Sequence, residues 1–126
     1  MHEAKVAIID DNKDWRWLAR LSLGLEGHIV VDEARTRLEA FSLVGKVASG
    51  ELDVDVWLLD GALSRHSKLG EDAQIISNYI KTHEAAGHII GFSTAPLSRD
   101  ACDSFANKEI WTAIDIINSL PEKPLA

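Results

Sequence analysis

Lys5-Val6-Ala7-Ile8-Ile9-Asp10-Asp11 is a short apolar run closed by two carboxylates. Its apolar residues are consecutive, not alternating, which suits a strand buried on both faces. Two further segments repeat the pattern. Residues 54–60 read Val-Asp-Val-Trp-Leu-Leu-Asp, and residues 88–92 read His-Ile-Ile-Gly-Phe. A weaker strand is expected over 28–32, and a short fifth one around Phe105. Between the strands the period changes. Residues 11–26 place Trp15, Leu18, Ala19, Leu21, Ser22 and Leu25 at helical spacing, with Asp11 or Asn12 as cap and Gly27 as stop. Residues 36–48 (Leu38, Phe41, Leu43, Val44, Val47), 71–86 (Ala73, Ile76, Tyr79, Ile80, His83, closed by Gly87) and 110–120 complete the helices. Strand and helix alternate from end to end, which predicts an α/β sandwich around a parallel sheet.

The chain has 126 residues, enough for one domain with its own core, and is read as a single domain over 1–126 with a frayed tail at 121–126. With 20 acidic and 13 basic residues, it is a poor candidate for direct nucleic-acid binding, since phosphate contacts need clustered Lys and Arg. No apolar run is long enough to span a membrane, and Met1-His2-Glu3-Ala4-Lys5 leads straight into the first strand without signal-peptide character. Cys102 is the single cysteine and has no disulfide partner, which points to a reducing cytoplasm.

In a parallel sheet ligands sit beyond the carboxyl ends of the strands. The residues at those ends are Asp10 and Asp11, Asp60, and Ser93 with Thr94; Lys108 lies just before the last helix. Three carboxylates in one place repel one another unless a cation joins them, and an oxygen-only donor set favours a hard ion such as Mg²⁺. A hydroxyl and an ammonium can bind phosphoryl oxygens, and Asp60 would then be placed to attack phosphorus.

These motifs resemble the receiver domain of bacterial two-component response regulators. The resemblance rests on Val6-Ala7-Ile8-Ile9-Asp10-Asp11, Val56-Trp57-Leu58-Leu59-Asp60, Ile89-Ile90-Gly91-Phe92-Ser93-Thr94-Ala95 and Phe105-Ala106-Asn107-Lys108, in the family's order over nearly the whole chain. It implies a flavodoxin-like (βα)5 three-layer sandwich with a five-stranded parallel sheet in the order 2-1-3-4-5. It further implies that Asp60 is the phosphoacceptor. Asp10, Asp11, Asp60 and the carbonyl of Ala62 would hold Mg²⁺ or Mn²⁺. Thr94 would contact the phosphoryl group, with Ser93 as the alternative one position earlier. Lys108 would pair with phosphoryl oxygens, and Phe105 is at the aromatic switch position. The implied activity is self-catalysed phosphotransfer and dephosphorylation, with no conventional enzyme chemistry. The implied partners are a sensor histidine kinase or phosphotransfer protein and a downstream protein target.

The sequence departs from the family pattern in three places. Glu109 follows Lys108 where the family has a cis proline; a cis bond before a non-proline costs about 3 kcal/mol, so a trans bond is expected, with Lys108 displaced. Only residues 95–107 separate Thr94 from Lys108, so the fourth helix is expected to be shortened or absent. The loop after Asp60 carries Ser64 in place of the usual proline, and Gly70 is displaced by about two positions. A pseudo-receiver acting as a phosphorylation-independent interaction module is therefore the competing reading.

Other features point elsewhere only weakly. Gly91-Phe92-Ser93-Thr94-Ala95 resembles a nucleophile elbow, but Pro96 follows and no histidine comes after His88. Of the tryptophans, Trp57 is expected in the core, one of Trp15 and Trp17 is expected to be exposed, and Trp111 is expected to pack. The histidines show no metal-ligand spacing.

Overall fold

The computed structural model describes residues 1–122. Its elements are β1 (Lys5–Ile9), α1 (Lys13–Leu25), β2 (Ile29–Ala34), α2 (Arg37–Ala48), β3 (Val56–Leu59), α3 (Glu71–Thr82), β4 (His88–Phe92), β5 (Ser104–Ala106) and α4 (Ile110–Ser119). The five strands form one parallel sheet in the order β2-β1-β3-β4-β5. This is the flavodoxin-like order, with four helices in place of five.

The side-chain period of a strand divides the core in two. Ala7, Ile9, Trp57, Leu59 and Ile89 face Ala40, Leu43 and Val44 of α2 and Ala73, Ile76 and Ile80 of α3. Val6, Ile8, Val56, Leu58, Ile90 and Phe92 face Ala19 and Leu23 of α1 and Ile110, Ala113, Ile114 and Ile117 of α4. Burial on both faces explains why the β1 and β3 sequences are continuously apolar. Trp57 is fully buried, and its indole N–H donates to the Ala86 carbonyl (2.9 Å). His28 is buried as well. Its Nδ1 accepts from the Ala4 N–H (3.0 Å) and its Nε2 lies 2.8 Å from Asn118 Oδ1, tying α4 to the start of β1.

Helix boundaries follow their caps. Asn12 caps α1, accepting from the N–H groups of Asp14 and Trp15, and Thr36 caps α2. The α1 terminus is a Schellman motif on Gly27 (φ 82°), with His28 N–H bonded to Leu23 O and Gly27 N–H to Gly24 O. The third helix stops at Thr82, four residues short of the sequence expectation. The same motif forms there on Glu84 (φ 55°), with Ala85 N–H on Ile80 O and Glu84 N–H on Lys81 O. Four apolar assignments also change. Leu21 and Leu25, on α1, are exposed. Leu38, in the first turn of α2, and Trp111, in the first turn of α4, are exposed instead of packed. Trp15 is half-buried and Trp17 exposed.

No helix lies between β4 and β5 among the described residues. An irregular segment covers β4 instead. Leu97 is wedged where side chains at Gly61 and Gly91 would otherwise stand, since a Cβ at either would meet Leu97 within 2.9 Å. Asp100 anchors the segment, its carbonyl accepting from Lys81 Nζ (2.7 Å) and Ser77 Oγ (3.3 Å) of α3. Pro96 and the shortness of the connection leave no room for a regular helix. No helix of the described residues is long and apolar enough to cross a membrane. Of the tail expected over 121–126, residues 123–126 lie outside the described residues, and Glu122 accepts from the His2 N–H (2.6 Å).

Gly87 is the backbone position with least latitude. It takes φ 126°, and a Cβ there would stand 2.6 Å from Trp57 Nε1 and 3.3 Å from the Val54 carbonyl. Gly87→Ala is expected to lower unfolding free energy by about 3 kcal/mol through combined backbone strain and overpacking, read as a lower urea midpoint at unchanged slope.

Candidate functional site

β1 and β3 pair with Ile9 opposite Leu59, so the residues that follow them, Asp10 and Asp60, emerge side by side. The Asp60 N–H donates to the Ile9 carbonyl (2.9 Å), which continues the ladder one step beyond the strands. Asp11 follows on the exposed side. One oxygen from each of Asp10, Asp11 and Asp60 lies within 4.8 Å of the others.

Asp10 is almost fully buried, and each of its oxygens has a separate task. Oδ1 accepts from the Asn12 N–H (3.0 Å), and Oδ2 from Lys108 Nζ (2.6 Å). The same ammonium lies 3.4 Å from Asp60 Oδ1. Asp60 Oδ1 also accepts from the Gly61 N–H (2.8 Å). Arg16 closes the back of the site by donating to the Asp10 carbonyl (2.9 Å) while its Nε pairs with Glu33 (3.4 Å).

Lys108 reaches this position although the bond to Glu109 is trans; the described residues contain no cis peptide. The expected displacement does not occur, because Lys108 itself takes a left-handed backbone conformation (φ 52°). That costs roughly 1–2 kcal/mol for a residue with a Cβ. Glu109 has its own task as the α4 cap, its carboxylate accepting from the N–H groups of Trp111 and Thr112.

The cleft above the carboxylates, about 260 Å³, is lined by Asp10, Asp11, Asn12, Trp15, Asp60, Ala62, Leu69, Ser93, Thr94 and Lys108. Every expected site residue except Phe105 is in that lining. Ser93 is buried at the end of β4, while Thr94 is exposed at the rim. Phe105 is half-buried on β5 and packs into the α2/α3 side of the core.

Three residues escaped the sequence reading. Trp15 is expected only as one of a pair with Trp17, one core and one exposed, and Leu69 falls in the loop after Asp60, yet both line the cleft. Asp72 is 2% exposed in the first turn of α3. It accepts from the Leu63 N–H (2.6 Å) and pairs with Arg37 of α2 (2.6 Å), which anchors the loop that follows Asp60. Burial favours its neutral form, but the Leu63 N–H, Ser67 and Arg37 together hold its carboxyl below the usual range. Its only sequence signal is an acidic residue in a first helical turn, which ordinarily marks a solvated N-terminus.

No protein-family model and no curated protein matches the chain. Solved structures do. The signal receiver domain of the response regulator NarL from Mycobacterium tuberculosis is 18% identical with a TM-score of 0.69, covering 95% of this chain and 100% of that one. The chain has the receiver-domain fold. The receiver domain of the histidine kinase CKI1 from Arabidopsis thaliana, solved with Mg²⁺ and BeF3⁻, is 22% identical with a TM-score of 0.66, covering 91% and 87%. A response regulator from Burkholderia pseudomallei, solved with a phosphorylated aspartic acid and a calcium ion, is 17% identical with a TM-score of 0.65, covering 88% and 64%. At these identities the likeness is one of fold.

Those residues fit a divalent cation. The donors are all oxygens, and three carboxylates against one ammonium leave an excess of negative charge. The excess is visible in Asp60, whose pKa is pushed up to about 6 by burial and by the charge of Asp10, against the pull of Lys108 and the Gly61 N–H. With a folded pKa above the unfolded one, the native state binds more protons between about pH 4 and 6, so stability falls as pH rises through that window. Asp60→Asn removes the effect. In metal-free buffer it is expected to raise stability by about 1–2 kcal/mol at pH 7, a two-unit shift discounted for residual solvent access. The gain should vanish near pH 4 in paired urea titrations.

Proposed function

We propose that this chain is a phosphoacceptor receiver in two-component signalling, taking a phosphoryl group on Asp60. The donor would be a phosphohistidine of a sensor histidine kinase or phosphotransfer protein. The observation that supports this most is the place of Lys108. A trans, left-handed backbone still delivers its ammonium within 3.4 Å of Asp60 and 2.6 Å of Asp10.

Asp60 Oδ1 is engaged by the Gly61 N–H and Lys108, which leaves Oδ2 as the attacking oxygen. The new Oδ2–P bond forms as the P–N bond of the donor breaks, and the imidazole departs with its electron pair. Asp10, Asp11, Asp60 and the Ala62 carbonyl would hold Mg²⁺ or Mn²⁺, which supplies positive charge for the transferring oxygens. Lys108 binds and orients a phosphoryl oxygen. Of the two hydroxyls, Ser93 is favoured over Thr94, since it is buried at the strand end and held in place by packing. Phe105 on β5 would pass the change to the surface of β4, β5 and α4, where a downstream protein target reads it. The charge balance, 20 acidic against 13 basic residues, argues against direct nucleic-acid binding, and the unpaired Cys102 suits a reducing, cytoplasmic setting.

The missing helix between β4 and β5 favours a second reading, an interaction module that takes no phosphate. One experiment separates them. Incubation with acetyl phosphate and Mg²⁺ is expected to add one phosphoryl group by intact mass, and none to Asp60→Asn. Lys108→Ala should slow the addition by at least about tenfold, the usual loss when a preorganised charge is removed from a transferring group. An unmodified wild type under these conditions and with a kinase-derived phosphohistidine donor favours the interaction module.

A further inference from the structure

Lys108 sits in the short connection between β5 and α4, and its side chain is 7% exposed. Two carboxylates hold one side of the ammonium. The other side faces carbon. The Trp15 ring centroid lies 5.3 Å from Nζ, and that of Phe92 5.2 Å. The two rings meet edge to face, 5.8 Å apart at 83°, so each fixes the other. Phe92 is buried at the end of β4. Trp15 is in the first turn of α1, its N–H capped by Asn12, and the Asn12 N–H is in turn held by Asp10.

We propose that Trp15, braced by Phe92, is a positioning residue for Lys108. The two ring faces hold the ammonium against Asp10 and Asp60 from the side that the carboxylates leave open. A lysine has four rotatable bonds, and two carboxylates set side by side constrain its head from one direction only. Unlike aliphatic groups, aromatic faces attract a cation, and unlike polar side chains they do so without offering it a competing acceptor. They also keep water from the ammonium, which strengthens its pull on both carboxylates. Trp15 touches no reacting atom in this arrangement. It acts through Lys108.

The inference deepens the phosphoacceptor reading, on which its effect on transfer rests, but the geometry it claims can be tested without phosphate. The probe is trace labelling of lysines with an amine-selective reagent, read by mass spectrometry, with Lys46 and Lys68 as internal references. Trp15→Leu is expected to raise Lys108 labelling about fivefold relative to the references, and Trp15→Phe to keep it near wild type. Equal Lys108 labelling in wild type and Trp15→Leu overturns the proposal. If Trp15→Leu labels all lysines faster, the fold has loosened, and Phe92→Leu takes its place with the same two outcomes. In the second arm, Trp15→Leu should slow modification by acetyl phosphate at saturating Mg²⁺ with unchanged Mg²⁺ affinity. A protein that is never phosphorylated but whose Lys108 labelling depends on Trp15 would sink the phosphoacceptor reading and leave the positioning role standing.

Discussion

The buried ion pair between Asp10 and Lys108 joins residues 98 positions apart, with both side chains under a tenth exposed. Everything at the carboxyl edge of the sheet is arranged around it. Asp10 uses its other oxygen to hold the Asn12 N–H, and Asn12 caps α1, so one carboxylate sets both the entry of the first helix and the place of the lysine. Without the ammonium, Asp10 and Asp60 would face each other with no opposing charge, and breaking a buried pair of this kind costs about 3–5 kcal/mol. The pair is a constraint on specificity more than a source of net stability, since desolvating both ions offsets much of their attraction.

The same economy of contacts explains how the sheet tolerates a missing helix. The segment between β4 and β5 has no regular hydrogen-bond ladder, so its backbone is held by α3 through Lys81 and Ser77. Its apolar cover is Leu97, which fits only because Gly61 and Gly91 present no Cβ. On the other side of the site, the loop after Asp60 is tied by Asp72, which satisfies the buried Leu63 N–H and reaches Arg37 on the neighbouring helix. Asp60 therefore stands on a rigid strand end between two loops that are each anchored to α3.

Much of the fold was legible in the residues. Consecutive apolar runs such as Val6–Ile9 announce strands buried on both faces, and Asn12 and Gly27 mark the ends of α1 by chemistry that needs no tertiary context. The stop of α3 was not legible. There Glu84 takes the left-handed position that Gly27 takes in α1, and a glutamate carries no signal for it. Leu38 and Trp111 fit an apolar helical pattern but lie on the sides of their helices that face water, while their neighbours Ala40 and Ile110 face the sheet.

The candidate site divides in the same way. Local sequence determined which chemical groups exist at the strand ends: carboxylates after β1 and β3, hydroxyls after β4, a lysine before α4. Their type and order follow from neighbours along the chain. The trans bond after Lys108 was legible from Glu109, but tertiary structure alone decided that Lys108 arrives from the left-handed region, that Ser93 is buried and Thr94 is not, and that Trp15 and Phe92 close over the ammonium. These depend on contacts between residues far apart in sequence, where packing and the pairing of buried charge outweigh any local preference.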